Sequence, residues 1–265
     1  MISSRSNPKI KFARALRQRK HRQETGLAIV EGIRHVGEAI EAGAAVQTIY
    51  FAPNLLTSNY ALKLVEDQQA AGVDCLACSA SAFNAIADRE NPQGLLALVA
   101  VEENRVEQLQ PANFSWGVAL VAPQDPGNVG SILRAVDAAG ASGVILLESS
   151  VDTRHPTLVR ASMGALFWQP LATATFSEFE GWIQRHGYSL VGSSAHGGVD
   201  YRDVPGYRRP LVLLMGSERE GLSVEQRQAC DQLVRLPMHG HATSLNLATA
   251  TGILLYAILE RLEPK

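Results

Sequence analysis

Three loops of this sequence place amide, carboxylate, hydroxyl and guanidinium groups beside glycines. They read Pro123-Gln-Asp-Pro-Gly-Asn-Val-Gly-Ser-Ile-Leu-Arg134, Gly216-Ser-Glu-Arg-Glu-Gly-Leu-Ser223 and Leu236-Pro-Met-His-Gly-His-Ala-Thr-Ser-Leu-Asn246. Glycines allow the main chain to approach a ligand closely. The planar fork of an arginine suits a phosphate group. These residue types indicate a site for an anionic substrate that is held by hydrogen bonds.

Each loop follows a continuous apolar run, at residues 118–122, 211–215 and 233–236. Similar runs at 144–147 and 189–192 alternate with predicted helices near 131–140, 156–163, 178–187, 223–230 and 245–262. Apolar runs without alternation predict parallel strands that are covered on both faces. Ligands bind outside the carboxyl ends of such strands, so the three loops are expected to share one edge of the sheet.

The first hundred residues predict a second, smaller α/β layer. Short apolar runs at 27–30, 46–51, 73–78 and 94–101 are separated by segments with helical spacing. Residues 102–113 are polar, contain Pro111 and lack a clear period, which is typical of a linker. The predicted division is therefore a domain at 1–101, a linker at 102–113 and a catalytic domain at 114–265.

Positive charge is concentrated in residues 1–22, which hold eight cations and no acid before Glu24. The whole chain has a net charge of −2, so the remainder is near −10 (−2 minus 8). A basic arm on an acidic body predicts a local contact with nucleic acid, and a solvated helix or a targeting peptide are the alternatives. The candidate RNA-binding residues are Arg5, Lys9, Lys11, Arg17, Lys20 and Arg22.

Other kinds of site lack their sequence patterns. The chain has no G-x-x-x-x-G-K-[ST], no G-x-G-x-x-G after a strand, no HExxH and no G-x-S-x-G. Cys75 and Cys78 form a single C-x-x-C in an apolar run, where strand packing is the favoured interpretation. His239 and His241 have no further ligand nearby, so no metal is expected.

The location of the protein is also predicted from the sequence. Three cysteines, an odd number, and the lack of a secretory signal favour a reducing compartment, and hence the cytoplasm. The apolar stretch at 252–259 is too short to span a bilayer, so no membrane partner is expected.

Taken in order, the three loops resemble the three motifs of the SpoU/TrmH family, a group of S-adenosylmethionine-dependent RNA ribose methyltransferases. The resemblance rests on Asn128-x-Gly130-x-x-x-Arg134, Gly216-x-Glu218-x-x-Gly221 and Pro237-Met-x-Gly240-x-x-x-Ser244-Leu-Asn246. Arg160-Ala-Ser-Met-Gly-Ala-Leu-Phe167 is similar to a further family segment, R-x-S-x-G-A-x-F. The N-terminal part resembles the substrate-binding domain of ribosomal-RNA members, which has a fold like ribosomal protein L30e. One departure is Ala248, where the family often has serine.

This resemblance implies a parallel-sheet α/β domain with a trefoil knot, a homodimer, and S-adenosylmethionine bound in the knot. It implies that main-chain groups at Gly216, Leu236, Met238 and Leu245 hold the cofactor. It further implies that the catalytic groups are Asn128, Arg134, Glu218, Ser244 and Asn246. Arg134 would bind the phosphate beside the target and stabilise charge on the 2′-oxygen; because an arginine is not easily deprotonated, a general-base role is chemically harder. Glu218 would orient Asn128, Arg134 or its own loop.

The predicted function is 2′-O-methylation of a ribose in RNA, with ribosomal RNA, and 23S in particular, favoured. A tRNA methyltransferase and a non-catalytic RNA-binding or ribosome-assembly protein are alternatives, and an NAD-linked oxidoreductase fits only the α/β pattern. The sequence does not identify the target nucleotide, nor whether the modification is housekeeping or protects against an antibiotic.

Overall fold

The structure is a computed structural model that describes residues 1–149, 151–195 and 197–262. It divides into two compact units. The first unit combines residues 1–102 with residues 152–168, and the second combines residues 103–151 with residues 169 onward. The segment 152–168, predicted to lie in the catalytic domain, thus packs within the first unit.

Helices and strands alternate along most of the chain. The helices are α1 (Pro8–Ala15), α2 (Arg19–Thr25), α3 (Ile33–Glu41), α4 (Asn59–Ala70), α5 (Ala80–Asn84), α6 (Pro126–Ala138), α7 (Pro156–Ser162), α8 (Phe176–His186), α9 (Val224–Gln228) and α10 (Leu247–Arg261). The strands are β1 (Leu27–Glu31), β2 (Val46–Phe51), β3 (Asp74–Ala77), β4 (Leu95–Ala100), β5 (Asn104–Arg105), β6 (Trp116–Val121), β7 (Val144–Leu147), β8 (Leu171–Ala174), β9 (Ser189–Ser193), β10 (Val199–Asp200), β11 (Leu211–Met215) and β12 (Gln232–Arg235).

The first unit is built on a mixed sheet in the order β1-β4-β2-β3. β4 runs antiparallel to β1 and β2, and β2 pairs in parallel with β3. The basic arm forms α1 and α2. Ile10 and Ala13 of α1 and its C-cap residue Leu16 are completely buried. Phe12 of α1 is 45% exposed, so the buried stripe of this helix runs through Ala13.

The second unit contains the predicted parallel sheet, in the order β10-β12-β9-β11-β6-β7-β8-β5. β11, the central strand of the site, pairs in parallel with both β6 and β9. The core of the second unit holds an aromatic cluster in which the ring of Trp182 stacks on that of Tyr188, with 4.2 Å between the ring centroids. The Trp182 indole N–H donates to the carbonyl of Leu109 at 2.9 Å, so this buried polar group is satisfied.

Two segments differ from the sequence prediction. Within 102–113, predicted as a linker, β5 pairs with β8, and Val106 and Leu109 are buried in the core of the second unit. The helix expected from residue 131 begins at Pro126, because the side chain of Asp125 accepts from Gly127 N–H and proline is favoured at the first helical position. Gly130 therefore lies inside α6, as its fifth residue.

In the described residues, no helix is both long and apolar enough to cross a membrane.

Candidate active site

The three glycine-containing loops lie at the carboxyl ends of β6, β11 and β12. β6 and β11 are neighbours in the sheet, and β12 is separated from β11 by β9. The first loop is short because α6 begins at Pro126, which puts Asn128 in the first turn of the helix. The second loop is closed by paired main-chain hydrogen bonds between Ser217 and Gly221.

One hydrogen-bonded chain joins the three loops. The Asn246 Nδ2 group donates to Asn128 Oδ1 at 2.9 Å, and the Asn128 Nδ2 group donates to Glu218 Oε1 at 2.8 Å. The other carboxylate oxygen, Glu218 Oε2, accepts from the main-chain N–H of Gln124 at 3.2 Å. The structure thus brings together three of the five predicted catalytic residues, one from each loop.

Asn246 is also fixed by its own helix. Its Oδ1 accepts from the main-chain N–H groups of Ala248 at 2.9 Å and Thr249 at 3.2 Å, so it is the N-cap of α10. Both ends of the side-chain amide are therefore engaged. This explains why an asparagine precedes an apolar helix: its oxygen caps the helix, and its nitrogen points to the site.

Arg134 and Ser244 lie outside this hydrogen-bonded chain. Arg134 is exposed on α6, the ninth residue of the helix, and its guanidinium makes no hydrogen bond or ion pair within the described residues. Side chains on a helix tilt towards its N-terminus, so a long arginine can extend back towards Gly130. Ser244 is exposed in the third loop. Both side chains are available to a substrate.

The third loop has free main-chain groups. Residues 236–245 make no main-chain hydrogen bond in the part of the chain that is described. Leu236 and Met238 are half-buried, and Leu245 is 38% exposed. Residues 239–245 are exposed, so their main-chain donors and acceptors are open to water or to a ligand. The loop therefore fits a cofactor that is held through main-chain groups.

At Gly216 the close packing of the second loop leaves no room for a side chain. A Cβ at this position would lie 2.3 Å from the carbonyl carbon of Gly221 and 2.5 Å from the nitrogen of Leu222. Only glycine allows the second loop to fold back this closely on the end of β11.

In the basic arm, the structure contradicts the prediction for one residue, Arg22. Arg22 is 2% exposed, and its guanidinium pairs with Asp152 at 2.6 Å and donates to the carbonyls of Leu16 and Arg17. A buried, fully paired guanidinium cannot bind RNA, so the assignment of Arg22 as an RNA contact is wrong. Charge pattern alone does not reveal which cation of an amphipathic segment is turned inward.

The other five candidate RNA-binding residues are exposed. Lys9 pairs with Asp74 at 2.6 Å, Lys20 lies 3.8 Å from Glu24, and Arg5 donates to Ser81. The Arg17 Nη2 group donates to the carbonyl of Ala87. Lys11 has no partner in the described residues. Exposed pairs of this kind are weak and can be exchanged for phosphate contacts.

The cysteines do not contribute a nucleophile to the three loops. Cys75, Cys78 and Cys230 are free thiols, and burial raises the pKa of Cys230, which follows α9, to about 12. A thiol with that pKa is protonated at neutral pH and is a poor nucleophile. Among the described residues, no group of three or more His, Cys, Asp and Glu side chains could hold a metal ion.

Sequence reasoning missed two contributors. Asp125 caps α6, and the main-chain N–H of Gln124 holds Glu218. The pair Asp125-Pro126 was an available signal for the helix start. The contact between Gln124 and Glu218 depends on main-chain position and has no signal in residue type.

Family models match both parts of the chain. The SpoU rRNA Methylase family model matches residues 115–256, and the MRM3-like substrate binding domain model matches residues 7–97.

Similar proteins cover almost the whole chain. The 23S rRNA (uridine(2479)-2′-O)-methyltransferase of Streptomyces viridochromogenes is 32% identical over 98% of this chain and 92% of its own length. The 23S rRNA (guanosine(2553)-2′-O)-methyltransferase RlmP of Bacillus subtilis is 27% identical over 96% of this chain and 97% of its own. The AdoMet-bound rRNA methyltransferase of Sinorhizobium meliloti is a similar solved structure, with a TM-score of 0.88 and 36% identity over 98% of this chain and 97% of that chain.

Proposed function

The chain belongs to the SpoU rRNA methylase family, and from this premise we propose that it transfers a methyl group from S-adenosylmethionine to a ribose 2′-hydroxyl of ribosomal RNA. The observation that carries the proposal is the hydrogen-bonded chain Asn246–Asn128–Glu218, which gathers the three loops at one edge of a parallel sheet. The two curated relatives described above are 23S rRNA enzymes, which favours 23S RNA as the substrate.

The cofactor supplies an activated methyl group, so the protein must align the 2′-oxygen and assist loss of its proton. Both oxygens of Glu218 already accept hydrogen bonds, from Asn128 and Gln124, which suits Glu218 to positioning Asn128. The free guanidinium of Arg134 binds the adjacent phosphate and stabilises negative charge on the 2′-oxygen.

Two amides and a hydroxyl complete the proposed substrate site. The Asn128 and Asn246 amides are held rigidly by each other and by Glu218, which favours a fixed contact with the ribose. Ser244 is exposed beside Asn246 and donates a further hydrogen bond to the substrate.

Gly216, Leu236, Met238 and Leu245 are the proposed cofactor-binding positions. Support comes from the unpaired main chain of residues 236–245 and from the close approach at Gly216. We include in the proposal that the third loop forms part of a trefoil knot, as family resemblance implies. These residues bind the cofactor mainly through main-chain groups.

The proposal extends to a homodimer in the cytoplasm. Ile253, Tyr256 and Leu259 of α10 are 38–49% exposed, and exposed apolar side chains gathered on one helix are typical of an interface. Three free cysteines and a ribosomal substrate support a reducing, cytoplasmic location.

Methylation of the ribose is distinguished from methylation of the base by one substitution in the RNA. A 23S fragment should accept labelled methyl from S-adenosylmethionine and give a 2′-O-methyl nucleotide that resists alkaline cleavage at its 3′ side. The same fragment with a single 2′-deoxy nucleotide at the target should bind but accept no methyl group. Label on the base, or normal methylation of the 2′-deoxy RNA, would refute the ribose assignment.

Measuring methyl transfer to RNA also distinguishes the proposed function from the alternative functions. A non-catalytic RNA-binding protein would show no transfer at all, and a tRNA enzyme would label tRNA in preference to the 23S fragment. S-adenosylmethionine should raise the melting temperature of the protein and NAD should not.

A further inference from the structure

The first unit contains a cavity whose wall combines cationic and apolar side chains. Its volume is about 40 Å³, room for a few water molecules. β1, the segment after α5 and helix α7 supply its apolar surface. The charged and polar side chains that line it are Arg17, Glu31, His35, Asp88, Arg89 and Arg160.

The two carboxylates of this wall are already engaged. Glu31 accepts from the main-chain N–H of Asp88 at 2.7 Å and from that of Arg89 at 3.4 Å, so it fixes the segment that carries Arg89. Asp88 lies 3.6 Å from the guanidinium of Arg160. Three guanidinium groups against two carboxylates leave a net positive wall, and within the described residues the Arg89 guanidinium has no hydrogen bond or ion pair.

His35 adds an unsatisfied polar group to this wall. Its Nε2 atom is buried and has no hydrogen-bond partner among the described residues. Burial, opposed by the nearby carboxylate of Glu38, lowers the pKa of His35, so the imidazole is uncharged at neutral pH. A neutral imidazole has one N–H, and the His35 ring also makes a hydrogen bond to the main-chain carbonyl of Arg160, so Nε2 is left as an acceptor. A buried polar atom without a partner costs free energy that a ligand would recover.

We propose that this cavity binds a backbone phosphate of the RNA substrate, through the guanidinium groups of Arg89 and Arg160. Arginine forks match the oxygens of a phosphate, and charge-assisted hydrogen bonds of this kind are strong. The cavity is too small for a nucleobase, whereas a phosphate can replace its waters. The inference rests on the proposed function, because it takes RNA as the substrate.

The test compares two full-length variants, Arg89→Ala and Lys63→Ala. Lys63→Ala is the control, because it removes one exposed cation from the same unit. Methyl transfer to a 23S fragment and equilibrium binding of that fragment are measured between about 50 and 200 mM salt. Arg89→Ala should raise the KM for RNA by about tenfold, as expected for loss of a charged hydrogen bond, and leave kcat unchanged. The salt slope of binding should fall by about 0.7–0.9, the value for one phosphate contact.

The outcomes distinguish this site from the proposed function. If Arg89→Ala matches Lys63→Ala in KM and salt slope, the phosphate site is wrong even though the wild type methylates RNA. If inorganic phosphate raises the melting temperature of the wild type and not of Arg89→Ala, while RNA binding is equal in both, the cavity binds free phosphate and the RNA assignment is overturned. If the wild type transfers no methyl group, the proposed function fails, and the binding data still decide whether the cavity contacts RNA. An unchanged melting temperature of the ligand-free variants controls for the fold of the first unit, which carries the substitutions.

Discussion

Arg134 is the one predicted catalytic cation, and its guanidinium is free within the described residues. Arg134→Lys keeps the charge but loses the planar fork that can contact a phosphate and the 2′-oxygen together. We expect methyl transfer to fall by about a hundredfold, the scale for loss of one charge-stabilising donor. Cofactor affinity, measured by calorimetry, should be nearly unchanged. Full activity in Arg134→Lys would make Arg134 an ordinary exposed residue of α6.

Glu218 acts in our proposal through Asn128 and not on the substrate directly. Removing the carboxylate in Glu218→Ala frees the Asn128 amide to rotate, because its Nδ2 group loses its acceptor. We expect kcat to fall by about tenfold to a hundredfold, with a smaller change in the KM for RNA. Glu220→Ala is the matched control, since Glu220 is exposed in the same loop. Equal effects of the two substitutions would show that the carboxylate of Glu218 has no positioning role.

The types of the site residues are predictable from the sequence, whereas the contacts between them are not. The motifs predict Asn128, Glu218 and Asn246 as site residues, but the direct bond between two amides 118 positions apart depends on the order of strands in the sheet. Ala248, the one departure from the family pattern, contributes its main-chain N–H to the cap of α10. Every residue type except proline can make that bond, so the structure gives no reason for a loss of function there.

Among the secondary-structure elements, the buried parallel strands were the most predictable. β6, β7 and β11 are buried throughout and read as continuous apolar runs. β8 was missed because Leu171–Ala174 has only four residues and mixes alanine with threonine. β5 was missed because it is a two-residue edge strand in a polar segment. The packing of 152–168 within the first unit depends on tertiary contacts that no local pattern reports.

The buried ion pair between Arg22 and Asp152 holds the segment 152–168 to α2 within the first unit. The two side chains are 3% and 6% exposed. Asp152→Asn leaves the Arg22 charge buried without a counter-charge, which typically costs about 3–5 kcal/mol of unfolding free energy. Asp74→Asn is the control: Asp74 also pairs at 2.6 Å, with Lys9, but both side chains are about half exposed. Asp74→Asn should lower the free energy of unfolding by no more than about 1 kcal/mol. Urea unfolding measures both, and similar costs would contradict a special role for the buried pair.

For the whole molecule, the uneven distribution of charge predicts how RNA affinity depends on salt. Each phosphate contact adds about 0.7–0.9 to the slope of log K against log salt. Replacing the exposed Lys11 and Lys20 by alanine should therefore lower the slope by about 1.4–1.8. Arg185→Ala, an exposed site on α8 of the second unit, should leave it unchanged. Equal slopes in all variants would mean that the arm does not contact RNA.

Substitution within the arm is a cleaner test than truncation of the first unit. A chain that begins near Gln108 loses β5 and the buried Val106 from the second unit. It also leaves residues 152–168 without the rest of the unit in which they pack. Weak RNA binding by such a chain would thus have more than one cause.

The exposed apolar side chains of α10 predict that the protein assembles through this helix. α10 is apolar almost to its end, yet Ile253 and Tyr256 are 38% and 49% exposed in the single chain. Burying an apolar side chain in an interface is favourable, and a carboxylate there is unfavourable unless it is paired. We expect the wild type to sediment at twice 28.6 kDa at micromolar concentration.

Under the same conditions Ile253→Asp should shift most of the protein to monomer, and methyl transfer should fall in parallel. Val224→Asp is the control, because Val224 is 61% exposed in the first turn of α9, where an acidic residue is tolerated. A wild type that is fully active as a monomer would show that one chain holds the complete site. If Ile253→Asp stays dimeric, the interface lies on another surface, and the exposed face of α10 then has no part in assembly.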